Sequence, residues 1–311
     1  MRSKAFIIAA AQIAPVFLNK KKTVEKACEA IRSAAEAGAR IVLFPETFIP
    51  GYPDWIWCVP NNRAKILNEL YAELIENSVS VPDKDTDKLC RTAKQAKISI
   101  AIGIHERNTD RSGGSLFNSL LFINEKGEIA GIRRKLIPTS AERLLWAQGD
   151  GKDLKALELN GLKTGGLICW ENLMPLARQA LYEKGIQILL SPTWDKSDSW
   201  INSMKHIARE GGIYIVSCCS AIRLKDIPDN YEFKSFYPDK REWINPGNSC
   251  IINPKGEIIA GPATETEEII FAEFHPEMIS FARRMFDPAG HYSRPDVFEF
   301  FVKSNLSLPS K

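Results

Sequence analysis

The chain carries two internal echoes, in the same order in each half. Gly38-Ala-Arg-Ile-Val-Leu-Phe-Pro45 resembles Gly185-Ile-Gln-Ile-Leu-Leu-Ser-Pro192, and Ile123-Asn-Glu-Lys-Gly-Glu-Ile-Ala-Gly131 resembles Ile252-Asn-Pro-Lys-Gly-Glu-Ile-Ile-Ala-Gly261. Each half thus supplies a Pro-terminated apolar strand and, later, a Gly-turned hairpin. A strand that is apolar without alternation is buried on both faces, so it needs a partner layer on each side. Two such halves predict an α/β fold in which two sheets share a core and helices lie outside, with pseudo-twofold internal symmetry.

The elements between the echoes fit that plan. Strands are expected over 6–14, 41–44, 98–105, 117–124, 128–136, 187–191, 213–220, 248–253 and 267–274, with a hairpin turning at Asn160-Gly161 and running into Cys169. Helices are expected over 20–37 (capped by Asn19), 62–77, 84–97, 175–184 and 199–210, where apolar residues recur at helical spacing. Residues 47–60, with three prolines and a glycine, read as a loop. No Gly/Ser linker or low-complexity stretch divides the 311 residues, so a single domain over 1–311 with a short tail from about 301 is expected.

Bulk properties exclude several function classes. A formal charge of +3 gives no reason to expect nucleic acid or a membrane surface as partner. The seven cysteines include no C-x-x-C pair, and the four histidines (105, 206, 275, 291) are scattered, so neither a metal site nor a disulfide framework is expected. Arg2 and Lys4 ahead of Ala5–Ala11 superficially resemble a secretion signal, but Gln12 interrupts the run, and a cytoplasmic protein is expected.

Chemistry concentrates where apolar strands end. Cys169 follows Gly165-Gly-Leu-Ile168 and precedes a helix that Pro175 can start. There a nucleophile is held rigidly beside backbone N–H groups. A lone cysteine is more often inert packing. Glu46 ends the strand before it in Phe44-Pro45-Glu46, however, and Lys135 ends another. Charges at the ends of apolar strands are costly unless paired or used. Glu142, seven residues past Lys135, reads equally well as a surface partner of Arg143 or as a second site carboxylate.

These segments carry a resemblance. Phe44-Pro-Glu-Thr-Phe-Ile-Pro-Gly-Tyr-Pro53, Arg134-Lys-Leu-Ile-Pro-Thr139 with Glu142-Arg143, and Cys169-Trp-Glu-Asn172 are similar to the motifs of the nitrilase (carbon–nitrogen hydrolase) superfamily. Cys-Trp-Glu-Asn resembles its true nitrilase branch, as do Trp146-Ala-Gln-Gly-Asp150, His206-Ile-Ala-Arg-Glu-Gly211 and His291-Tyr-Ser-Arg-Pro-Asp296. The resemblance spans about residues 5–300. It implies a four-layer α-β-β-α sandwich and hydrolysis of an organic nitrile to acid and ammonia with no cofactor. Cys169 would be nucleophile, Glu46 general base, Lys135 the group stabilising developing charge, and Glu142 a second carboxylate orienting Lys135. It also implies a homodimer, in many members built into larger assemblies. The helices after Cys169 and near 199–210 are candidate interface surfaces. Alternatives are an amidase-type relative, a cyanide hydratase or dihydratase, and a catalytically silent scaffold; the intact Glu46, Lys135, Glu142 and Cys169 set argues against the last.

Five of seven tryptophans (55, 57, 146, 170 and 194) lie on segments leaving the presumed catalytic strand ends, which suggests an aromatic-lined pocket. Tyr52, Trp146, Trp170 and Trp194 are the expected substrate-binding residues. Trp57 and Trp200 are expected to pack in the core or an interface, and His206 to be structural.

Overall fold

The computed structural model describes residues 5–109, 112–238 and 242–303. In chain order the elements are β1 (Phe6–Gln12), α1 (Lys20–Glu36), β2 (Ala39–Leu43), α2 (Trp55–Cys58), α3 (Ala64–Glu76), α4 (Lys84–Ala96), β3 (Ser99–Arg107), β4 (Leu116–Ile123) and β5 (Ile129–Arg134). The second half supplies β6 (Leu157–Leu159), β7 (Leu162–Gly166), α5 (Pro175–Tyr182), β8 (Ile188–Thr193), α6 (Asp198–Gly211), β9 (Tyr214–Cys219), β10 (Ala221–Arg223), β11 (Trp243–Ile252), β12 (Ile258–Thr264), β13 (Glu268–Phe274) and α7 (Pro276–Met285). The part of the expected tail beyond residue 303 lies outside the described residues, as do Arg2 and Lys4.

The two sheets repeat one topology. In the first, β1, β2 and β3 run parallel, and β4 and β5 follow antiparallel. In the second, β7, β8 and β9 run parallel, and β11 and β12 follow antiparallel. Each sheet is extended beside its first parallel strand by an antiparallel one, β13 on β1 and β6 on β7. The echoed hairpins match in side-chain detail. Asn124 Oδ1 accepts from Lys126 N and Glu128 N, as Asn253 Oδ1 does from Lys255 N and Glu257 N. The turn glycines Gly127 and Gly256 sit at φ +77° and +82°, a region β-carbon-bearing residues avoid.

Period-two alternation then sorts the strand residues into layers. Ile8, Ala10, Ile41, Leu43, Ile188, Leu190 and Val216 share one buried cluster between the sheets. Their neighbours Ala9 and Val42 pack outward under Val24, Ile31 and Leu89 of α1 and α4. On the other side Leu189 and Ile215 pack under Leu181, Met204 and Ile207 of α5 and α6. This gives the four layers α-β-β-α. A further cluster caps one end, where α2, α3 and the 224–237 segment enclose Tyr52, Trp55, Trp146 and Phe233.

Three elements went beyond the sequence reading. Residues 47–60 contain α2, and α7 and β10 carry too little apolar pattern to announce themselves. β12 is the far strand of the expected hairpin over 252–261, continued to Thr264. Of β12 only Ala263 is buried, and Gly261-Pro262 interrupts it. Of α7 only Ile279 is buried. Among the described residues no helix is long and apolar enough to cross a membrane.

Candidate active site

Three strand ends converge on one place. Past β2 the chain keeps hydrogen bonding along β3, with Phe44 N to Ala101 O (2.8 Å) and Ile49 N to Gly103 O (3.1 Å), and Glu46 is carried between them. This close approach requires glycine at 103: a Cβ there would overlap the Pro45 carbonyl oxygen and the Thr47 nitrogen. Because both obstacles are backbone, Gly103→Ala is expected to cost about 1–3 kcal/mol in stability. It should also lower activity by displacing Glu46; an unchanged melting midpoint would contradict that packing. Lys135 follows β5, its N–H still bonded to Asn118 O of β4 (2.8 Å).

Cys169 follows β7 and opens a 3-10 turn, Cys169–Leu173, with φ at +50°. A non-glycine residue pays for that conformation with roughly 1–3 kcal/mol, which surrounding structure must supply. Asn172 supplies much of it. Its Nδ2 donates to Leu167 O and Cys169 O (both 2.8 Å), and Ser191 Oγ donates to its Oδ1 (2.9 Å).

The side chains form one buried network. Lys135 Nζ donates to Glu46 Oε1 (2.8 Å) and Glu142 Oε2 (2.7 Å). Glu46 Oε1 also accepts from Asn118 Nδ2 (2.8 Å). Glu142 is fixed by Thr139 N on Oε2 (2.6 Å) and by the Tyr52 hydroxyl on Oε1 (2.7 Å). Thr193 Oγ1, at the end of β8, reaches Cys169 Sγ (3.3 Å). Glu46, Lys135 and Glu142 are each 1% exposed. Glu46 Oε2 is buried without a hydrogen-bond partner, which leaves that oxygen available to a proton donor.

Burial pushes the Cys169 thiol up to about 12; Glu46 and Glu142 push the same way, while Lys135 and Thr193 oppose. At pH 7 the residue is therefore a thiol. Burial also raises Glu46, against the pull of Lys135 and with a further push from Glu142. For Lys135, burial alone would favour the neutral amine, but Glu46, Cys169 and Glu142 outweigh it and hold the ammonium charged. The arrangement is a neutral thiol beside a carboxylate of raised basicity and a permanently charged ammonium. It suits proton removal during attack, not a resting thiolate.

Residues 7–284 match the family model described as carbon-nitrogen hydrolase. The chain is 37% identical to nitrilase 2 of Arabidopsis thaliana, over 96% of this chain and 88% of the relative. It is also 37% identical to an aliphatic nitrilase of Sinorhizobium fredii, over 96% and 95%. Among solved structures, Saccharomyces cerevisiae Nit3, a member of branch 10 of the nitrilase superfamily, superposes with TM-score 0.72 at 19% identity, covering 94% of this chain and 98% of that one. The chain belongs to the nitrilase superfamily. It is a nitrilase-type carbon–nitrogen hydrolase.

In this hydrolase the expected aromatic residues divide. Tyr52 stacks on Trp194 (4.4 Å between centroids, 7°) and meets Trp146 edge-on (5.9 Å). Trp170 joins none of these ring contacts. It is half exposed and turns its indole N–H to Asp195 (2.8 Å), so the structure does not bring it into the aromatic group. Trp200, on the buried face of α6, places its indole N–H on Ser217 (2.8 Å), as expected. Trp57 is not core. It is 47% exposed, and its indole donates to the Tyr52 hydroxyl (3.2 Å), which extends the network from Lys135 to the surface. His206 is exposed beside Glu210 (3.2 Å).

Other participants escaped the sequence reading. Asn118 is a polar residue inside the apolar run of β4. His105 is fully buried, with Nε2 on Gly51 O (3.0 Å) and Nδ1 accepting from Trp146 Nε1 (3.0 Å). Burial lowers its pKa to about 3, so the ring stays neutral and ties the segment after Glu46 to Trp146. Polar residues within otherwise apolar strands were the available signal for both. No group of three or more His, Cys, Asp or Glu side chains among the described residues is arranged to hold a metal ion.

Proposed function

We propose that this enzyme is a nitrilase that converts an organic nitrile and two waters to a carboxylic acid and ammonia. The observation that carries the reading is the buried Glu46–Lys135–Glu142 network beside a neutral Cys169 thiol at a left-handed strand end. The names of the two relatives above, both nitrilases and each 37% identical, point the same way.

Cys169 Sγ adds to the nitrile carbon as its proton passes to the free Oε2 of Glu46. Charge developing on nitrogen meets the Lys135 ammonium and the backbone N–H of Trp170, and return of the thiol proton from Glu46 to nitrogen gives a neutral thioimidate and a free carboxylate. Glu46 then takes a proton from a first water as it adds to the same carbon, delivers it to nitrogen, and relays the new hydroxyl proton to the amine as the C–N bond breaks. Ammonia leaves, and a thioester remains. A second water, activated in the same way, releases the acid and restores the thiol. Glu142, held by Tyr52 and Thr139, keeps Lys135 aimed at the reacting atoms. Trp194, stacked on the buried Tyr52 that also meets Trp146, is read as offering an apolar face to the organic group, with Trp170 next to Cys169 in the chain.

The first test is ammonia release from aliphatic, arylaliphatic and aromatic nitriles, each run beside its amide. Turnover of nitriles supports the reading; turnover of amides alone would move the enzyme to the amidase-type relatives. The pH profile is a second test. Glu46 must be ionised to accept the proton, so kcat/KM for an uncharged nitrile should rise with pH along a limb above the usual glutamate value near 4.5. Because the thiol ionises only near pH 12, no second rise is expected between about pH 8 and 9, the ordinary thiol range. A rise there would replace base-assisted attack with a preformed thiolate.

We further propose a homodimer through the face carrying α5 and α7, where Leu176, Phe281 and Met285 are exposed apolar side chains.

A further inference from the structure

Cys169 and Lys135 belong to different sheets, and little of the geometry above says what fixes one against the other. Thr193 lies in the same sheet as Cys169. Glu46, Asn118 and Glu142 hold Lys135 from its own side.

One side chain touches the backbone on both sides of the gap. Glu171 Oε2 accepts from Ile168 N (2.7 Å), the residue before Cys169. Glu171 Oε1 accepts from Leu136 N (2.6 Å), the residue after Lys135. The same two oxygens receive the Arg133 guanidinium in fork geometry, Nη1 to Oε2 (2.6 Å) and Nη2 to Oε1 (2.7 Å). Arg133 is two residues before Lys135, on β5. Its side chain is 4% exposed and that of Glu171 1%. Four charge-assisted bonds thus converge on one buried carboxylate, at the seam between the sheets.

We propose that Glu171, clamped by Arg133, is a positioning residue that sets the placement of the Cys169 nucleophile against the Lys135 ammonium. The proposal rests on the reading of those two residues as nucleophile and charge-stabilising group. It also explains the residue type. Aspartate would carry the carboxylate about 1.5 Å less far, too short to hold both N–H groups. Glutamine would keep one good acceptor oxygen and leave Arg133 a buried, uncompensated charge.

A purely structural ion pair predicts something different. Replacing both partners with neutral side chains removes the buried charges together, which restores much of the stability lost when one partner alone is removed. It would restore activity as well if the pair served only folding. A positioning pair regains stability and not rate.

The experiment compares wild type with Glu171→Gln, Glu171→Asp and the double variant Arg133→Met/Glu171→Gln. It reads thermal midpoint, kcat and KM on a turned-over nitrile, and the rate of Cys169 alkylation by iodoacetamide followed by mass spectrometry. Glu171→Gln and the double variant are expected to lose about 100-fold in kcat with KM changed by less than about threefold, the signature of an ångström-scale misplacement. Alkylation of Cys169 should slow in both, and Glu171→Asp should lie between them and wild type. The double variant should recover the thermal midpoint that Glu171→Gln loses. A double variant with the wild-type midpoint, wild-type kcat and wild-type alkylation rate overturns the proposal. Glu171→Asp keeps both charges and is the variant to read if the others do not fold. If wild type turns over no nitrile but alkylation still slows in the variants, positioning stands and the nitrilase reading falls.

Discussion

Cys169→Ala is expected to lower ammonia release from a nitrile by about 10⁵-fold or more, to the limit of detection, with the fold intact. The side chain is small, its hydrogen bond from Thr193 is long at 3.3 Å, and it carries no charge at neutral pH. Its loss therefore leaves a minor cavity and no orphaned ion. The other groups in the network are weaker nucleophiles: Glu46 and Glu142 are carboxylates bonded to the Lys135 ammonium, and the Thr193 hydroxyl is a neutral alcohol that accepts from Asp195 N. Glu46→Gln should approach the same loss, by about 10⁴-fold, for a different reason. The amide still accepts from Asn118 and Lys135, so the geometry survives, but the thiol keeps its proton. The two variants can be told apart by mass spectrometry after mixing with a nitrile. Neither should carry a thioimidate or thioester, yet iodoacetamide should still label Cys169 in Glu46→Gln. A Cys169→Ala enzyme that still releases ammonia would sink the assignment of the nucleophile.

What was legible in the sequence follows from range. The central strands announced themselves because burial on both faces makes them continuous apolar runs, and the repeated Lys-Gly-Glu turns exposed the doubled topology. Glu46, Lys135 and Cys169 were legible as charged or reactive residues at strand ends. Their supports were not. Asn118 reaches Glu46 across 72 positions and Trp146 reaches His105 across 41, and no local period records such pairings. Arg133 gave no local signal because its partner, Glu171, lies 38 residues on. Trp57 read as packing because its contact with Tyr52 depends on α2, a single helical turn without a periodic pattern. The peripheral helix α7 buries only Ile279, and so little burial leaves little trace in composition.

Lys135→Met makes the strongest claim about the electrostatics. Removing the ammonium takes away the group that meets charge on nitrogen and then on oxygen, and a loss of about 10³-fold in kcat or more is expected. It also strands two carboxylates. In the native enzyme Glu46 and Glu142 share one cation at 2.8 and 2.7 Å, with all three side chains no more than 2% exposed. Without it they face each other as buried like charges. A buried group left without its partner costs about 3–5 kcal/mol, and protonation is the one escape open to a carboxylate. At least one pKa of the pair must then lie well above its unfolded value, so the native state binds more protons than the unfolded chain. Stability is gained below the unfolded pKa and lost as pH rises toward the folded one. The thermal midpoint of Lys135→Met should therefore drop further below wild type at pH 8 than at pH 5.5. Equal deficits at both pH values would mean that the carboxylates rehydrate or separate when the lysine is removed. The buried three-charge network would then not be the rigid element that the mechanism requires.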